Sequence, residues 1–261
     1  MFYYESGSRG CHYTLLAEGR YTSNCLTHVQ VMLSTRRPCL MTTATDGCIA
    51  TWDLAPALKP RFSVSNGRVK SLPSPAPTSQ VSLIWRTQHH VHQSSIKSVT
   101  CLAVSETAYL IVTGGDDNAL AFSILDDKAS ITTETEPHFA TATLLPDAHA
   151  SAINDITILQ NTLRKQEANG VQTLNFQIAS SGNDQRLKVW TVQMALPGIR
   201  VDGGAGSIRA SLREDIYTAV ADLSSMEAFT PAENSSAGDS GYTEHLVLCG
   251  VGMDMWKVKQ P

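Results

Sequence analysis

The chain has 261 residues, enough for one large β domain or two small ones, and is 42% hydrophobic and 17% charged with a net charge of −4. That profile is an ordinary soluble one, and its negative charge argues against strong independent phosphate binding. No apolar run approaches the eighteen residues that a membrane span needs, so no membrane insertion is expected.

Short runs rich in β-branched and aromatic residues, bounded by turn residues, predict many strands and no helix. In chain order, 12–21 reads as an isolated outer strand, so 1–21 is a partial unit. Strands at 25–34, 39–45 and 48–54 follow, closed by 81–90, making a unit over 25–90. Residues 56–80 within it, with Pro73-Ser-Pro-Ala-Pro, read as a disordered insertion. A second unit over 92–146 has strands at 96–105, 109–115, 119–125 and 138–146. A third over 149–214 has 153–160, 174–182, 186–192 and about 207–214. The last, over 217–258, offers 217–224, 245–250 and 253–258 without an outer strand. Smaller insertions are expected near 127–136, 161–172, 196–206 and 228–243.

Four segments end alike: Thr42-Thr-Ala-Thr-Asp46 through Trp52, Thr113-Gly-Gly-Asp-Asp117 through Ser123, Ser180-Ser-Gly-Asn-Asp184 through Trp190, and the weaker Leu246-Val-Leu-Cys-Gly250 through Trp256. In the first three a hydroxyl precedes an Asp by four residues, and in the first and third a Trp follows it by six. Such self-similarity fixes the architecture before any local assignment. Asp suits a tight turn because its carboxylate accepts from turn N–H groups, while buried hydroxyl and indole groups need partners. His92 and His149 lie upstream of the second and third units and complete the polar set.

An Asp–His–Ser/Thr–Trp set of this kind resembles the internal lock of WD-repeat propeller blades. The resemblance implies an all-β propeller of about three to four blades, with Thr42, Asp46, Trp52, His92, Thr113, Asp117, His149, Ser180, Asp184 and Trp190 as blade-lock residues. The third lock is the fullest. Ser123 in place of Trp leaves the second incomplete, the first lacks a suitable His because His28 lies inside a strand, and Gly250 stands where the last would have Asp. Asp46 and Asp117 are 71 residues apart and Asp117 and Asp184 67, against about 40–45 for a WD repeat. Surface insertions account for the excess at small entropic cost.

Two accounts of closure stay open. Either 12–21 supplies the missing outer strand of the last unit and closes a four-bladed ring, or the chain is the C-terminal piece of a longer protein whose ends pair elsewhere. The second is preferred, since most WD rings have seven blades and an open edge strand invites aggregation.

His149-Ala-Ser-Ala-Ile-Asn with Ser180 to Trp190, and Thr218-Ala-Val-Ala-Asp-Leu with Val247-Leu-Cys-Gly-Val-Gly-Met-Asp-Met-Trp256, are similar to the C-terminal end of the WD repeat-containing protein 6 family, and Leu16-Ala-Glu-Gly-Arg and His92-Gln-Ser-Ser-Ile-Lys with Thr113-Gly-Gly-Asp-Asp-Asn-Ala-Leu120 are similar to its fungal members. That resemblance implies a cytoplasmic, non-catalytic partner of an FtsJ-like methyltransferase that 2′-O-methylates the wobble nucleotide of tRNA, with tRNA reached through the complex. It also implies a link to endosomal recycling in fungi. The alternative is a general protein-interaction propeller with no RNA role.

No enzyme signature stands out. Gly203-Gly-Ala-Gly-Ser precedes no helical pattern, and Walker, H-E-x-x-H and G-x-S-x-G motifs are missing, so no catalytic, cofactor-binding or metal residue and no small-molecule substrate is assigned. His89-His-Val-His92 reads as a strand end plus a lock residue. Asp116 reads as a solvated neighbour of Asp117, and Arg186 as a support for its own unit. The six cysteines form no C-x-x-C pair and read as reduced, mostly buried thiols. Met1-Phe-Tyr-Tyr-Glu-Ser has no basic and apolar signal pattern, so Asn234-Ser-Ser is expected to go unglycosylated.

Overall fold

A computed structural model describes residues 2–7, 10–15, 17–33, 38–58, 62–65, 68–71, 81–83, 85–105, 108–126, 138–168, 171–195, 208–230 and 244–258. In chain order the elements are β1 (Phe2–Gly7), β2 (Gly10–Leu15), β3 (Ala17–Gly19), β4 (Leu26–Leu33), β5 (Pro38–Ala44), β6 (Cys48–Asp53), α1 (Ala55–Leu58), β7 (Phe62–Ser65), β8 (Arg68–Ser71), β9 (Val81–Leu83) and β10 (Trp85–His90). Then come β11 (Ile96–Ala103), β12 (Ala108–Gly115), β13 (Leu120–Asp126), β14 (His138–Leu145), β15 (Ile153–Ala168), β16 (Val171–Gly182), β17 (Arg186–Ala195), β18 (Ile208–Tyr217), β19 (Ala221–Phe229) and β20 (Glu244–Val258).

Three four-stranded antiparallel sheets carry the structure, in the orders β4-β5-β6-β10, β11-β12-β13-β14 and β15-β16-β17-β18. A fourth sheet holds β19 and β20. The sheets pack face to face in chain order because alternate residues serve opposite faces. Met32, Met41 and Ile49 of the first sheet meet Tyr109, Ile111 and Leu125 of the second. One residue on, Leu110, Val112, Phe122 and Ile124 face Ile156, Phe176, Ile178 and Trp190 of the third. Ala179, Leu187 and Val189 then turn to Leu223, Met226, Leu246 and Leu248 of the fourth. Strands β12 and β13 are buried along their whole length, which explains runs such as Tyr109-Leu-Ile-Val with no polar alternation. Each such side chain contributes about 1.5–3 kcal/mol.

Several expectations need correction. The strand predicted over 12–21 is divided: Gly10–Leu15 pairs with Phe2–Gly7, while Ala17–Gly19 runs parallel to Val81–Leu83. Neither pairs with β20, so 12–21 does not close the last unit. The span 81–90 is divided too, since only Trp85–His90 joins the first sheet as its outer strand. Ala17, Leu83 and Ala57 instead cover Trp52 and Leu54. Gly19 permits the approach, because a Cβ there would lie 2.8 Å from the Trp52 ring.

The insertion at 56–80 contains most of α1 and the β7–β8 ladder, with Val64 opposite Val69. The insertion at 161–172 is a continuation of β15 and β16, paired as far as Ala168 and Val171. Asn66-Gly67 and Asn169-Gly170 separate these two strand pairs in the sequence. That dipeptide favours two-residue hairpin loops and carries more weight than Pro and Ser content nearby. The last unit has two strands where three were predicted, because Gly250-Val-Gly252 lies within one strand and is no reversal. Gly250 serves close approach at an irregularity, where a Cβ would stand 2.5 Å from the Asp222 carbonyl oxygen. Among the described cysteines, all free, Cys48 is buried but Cys25 and Cys249 are exposed, so the thiols are not mostly buried. The insertions at 127–136 and 196–206, and most of 228–243, lie outside the described residues.

Candidate functional site

The best-formed polar constellation sits in the third sheet. His149 lies just ahead of β15, Ser180 lies two residues before the end of β16, Asp184 occupies the β16–β17 turn, and Trp190 lies on β17. Gln185 adopts φ of 59°, tightening the turn so that Arg186 N–H donates to Asp184 Oδ1 at 3.1 Å. Asp184 Oδ2 also accepts from Ala150 N–H at 2.9 Å. His149 Nδ1 meets Asp184 Oδ1 at 3.0 Å, and its Nε2 meets Ser180 Oγ at 2.8 Å. Trp190 Nε1–H donates to that same Oγ at 2.8 Å. The hydrogen-bond chain therefore runs from indole to hydroxyl to imidazole to carboxylate, with a neutral imidazole protonated on Nδ1.

Titration behaviour fits that proton arrangement. Burial holds the His149 imidazolium below its usual range despite the attraction of Asp184. Burial works against ionisation of Asp184, but the Ala150 amide, His149 and the Arg186 amide outweigh it and lower its pKa.

The second sheet carries a shorter chain. His92 Nδ1 meets Asp117 Oδ1 at 2.8 Å and His92 Nε2 meets Thr113 Oγ1 at 2.9 Å, while Gln93 N–H donates to Asp117 Oδ2 at 2.8 Å. Asp117, like Asp184, titrates below its usual range, its burial outweighed by bonds from the Gln93 amide and His92. Ser123, at the Trp position, is buried and its Oγ has no hydrogen-bond partner among the described residues.

In the first sheet Trp52 Nε1–H donates to Thr42 Oγ1 at 2.8 Å, but no His reaches Asp46 among the described residues. Tyr21 OH and Asn24 Nδ2 donate to Asp46 Oδ2 at 3.0 and 3.1 Å, and Cys48 N–H donates to Oδ1 at 3.1 Å. Burial, with the Asp46 bond, raises the Tyr21 pKa. Sequence reasoning missed this substitution, though Tyr21 occupies nearly the place before β4 that His92 has before β11 and His149 before β15. It also missed the polar set of the fourth sheet, where Thr218 Oγ1–H and Trp256 Nε1–H both donate to Asp254 Oδ2, at 3.2 and 3.0 Å. The signal was Asp254 two residues before Trp256 rather than six.

The connectivity Asp184–His149–Ser180 matches a hydrolytic triad, yet the chemistry does not follow. Ser180 is fully buried and its oxygen already accepts the indole proton, so no carbonyl can approach. Both nitrogens of His92 are likewise engaged, while His89 stacks on Phe139 at 4.6 Å, so those histidines do not converge. Asp116 is exposed, 3.6 Å from Lys97. Arg186 and Lys188 share Asp215 at 3.5 and 3.8 Å.

The surface feature of note is an apolar cleft of about 550 Å³ on the first sheet, lined by Leu26, Val29, Val31, Leu40 and Trp52, with Thr42 at its floor. Its size suits either a small ligand or a set of side chains from a partner. No helix among the described residues is long and apolar enough to cross a membrane.

Residues 84–121 match the family described as WD domain, G-beta repeat. A WD40 repeat occupies this stretch. It starts at the outer strand of the first sheet and ends inside β13, so repeat and sheet are out of phase by one strand, and it contains His92, Thr113 and Asp117. The antiparallel sheets stacked around it are an all-β, WD40 propeller-like array, partial in extent. No curated protein matches the chain.

Proposed function

We propose that the chain is a non-catalytic WD-repeat scaffold that holds protein partners in the cytoplasm. The observation that carries this reading is the saturation of the blade polar sets: the carboxylates and imidazoles that resemble catalytic groups are spent on turns and strands. A WD40 repeat supports protein interaction as the general role. The finer reading is an auxiliary subunit of an FtsJ-like tRNA 2′-O-methyltransferase acting at the wobble nucleotide. The likeness of His149–Asn154, Ser180–Trp190 and Val247–Trp256 to the WD repeat-containing protein 6 family supports it. Because net charge is −4, most affinity for tRNA would come from the partner.

Deletion of the gene followed by ribose-methylation mapping of tRNA tests the finer reading. Loss of wobble 2′-O-methylation, together with co-purification of the methyltransferase, is expected. Unchanged methylation overturns that reading, and recovery of trafficking proteins instead favours a propeller acting in endosomal recycling. The exposed apolar cleft, a feature suited to protein contact rather than phosphate, is the observation that keeps this second reading in play.

A further inference from the structure

No further inference is drawn: the strongest candidate, the apolar cleft on the open face of the first sheet beside Val29 and Trp52, carries none because nothing in the structure shows what covers it.

Discussion

Replacement of Asp184 by Ala isolates the energetic role of a single carboxylate. It removes the acceptor for three donors, His149 Nδ1–H, Ala150 N–H and Arg186 N–H. The two amides belong to exposed residues, so water replaces the carboxylate there at a cost of a few tenths of a kcal/mol each. His149 is buried, and its orphaned N–H carries most of the penalty, about 1–3 kcal/mol. The sum is about 1.5–4 kcal/mol, read as a drop in melting temperature of about 3–15 °C for a chain of this size. Asp116→Ala is the control: it deletes one exposed carboxylate 3.6 Å from Lys97 and is expected to cost no more than about 1 kcal/mol. Acid supplies a second readout. Because the folded pKa of Asp184 lies below its ordinary value, its contribution is complete above about pH 4 and is lost as pH falls through the lowered pKa. The gap between wild type and Asp184→Ala in urea titrations therefore narrows in acid. Equal melting shifts for the two variants, or a gap unchanged down to about pH 2, would refute the reasoning.

Other variants probe neighbouring features. Ser123→Ala removes a buried hydroxyl that has no partner among the described residues, and is expected to leave stability unchanged or raise it by up to about 1 kcal/mol in chemical denaturation. A Cβ on Gly115 would meet Asp117 Oδ1 and stand 2.5 Å from His92 Nδ1, whereas one on Gly182 would stand 2.9 Å from His149 Nδ1. Gly115→Ala is accordingly expected to cost about 1–3 kcal/mol and more than Gly182→Ala, and the reverse order by thermal melting contradicts the packing described. Tyr21→Phe removes one of the two side-chain donors to Asp46 and is expected to cost about 1 kcal/mol in urea titrations, with Asn24 and Cys48 keeping the turn closed. His149 adds a pH effect of its own. Its folded pKa is lowered, so the stability that rests on a neutral imidazole is complete above about pH 6.5 and declines as pH falls toward the folded value. His149→Gln is expected to flatten that part of the stability profile, and an unchanged profile contradicts the assignment.

The runs of β-branched and aromatic residues bounded by turn residues, with the recurring hydroxyl–Asp spacing, were sufficient, without coordinates, to place the inner strands of three sheets and the turns that hold Asp46, Asp117 and Asp184. These features are local: a carboxylate accepting from amides within two residues is written in the sequence around it. Asn66-Gly67 and Asn169-Gly170 were equally local, but composition obscured them. Other features depended on residues distant in sequence. Gln88 reaches Tyr21 across 67 positions, and Asp155 accepts from the Met226 amide across 71, joining the third sheet to the fourth. Burial raises the Asp155 pKa in spite of that bond. Whether a valine on an inner strand is covered, as Ile156 is, or open, as Val29 is, depends on the presence of a neighbouring sheet. Strand sequence specifies which face is apolar; only sheet-on-sheet packing decides what, if anything, lies against it.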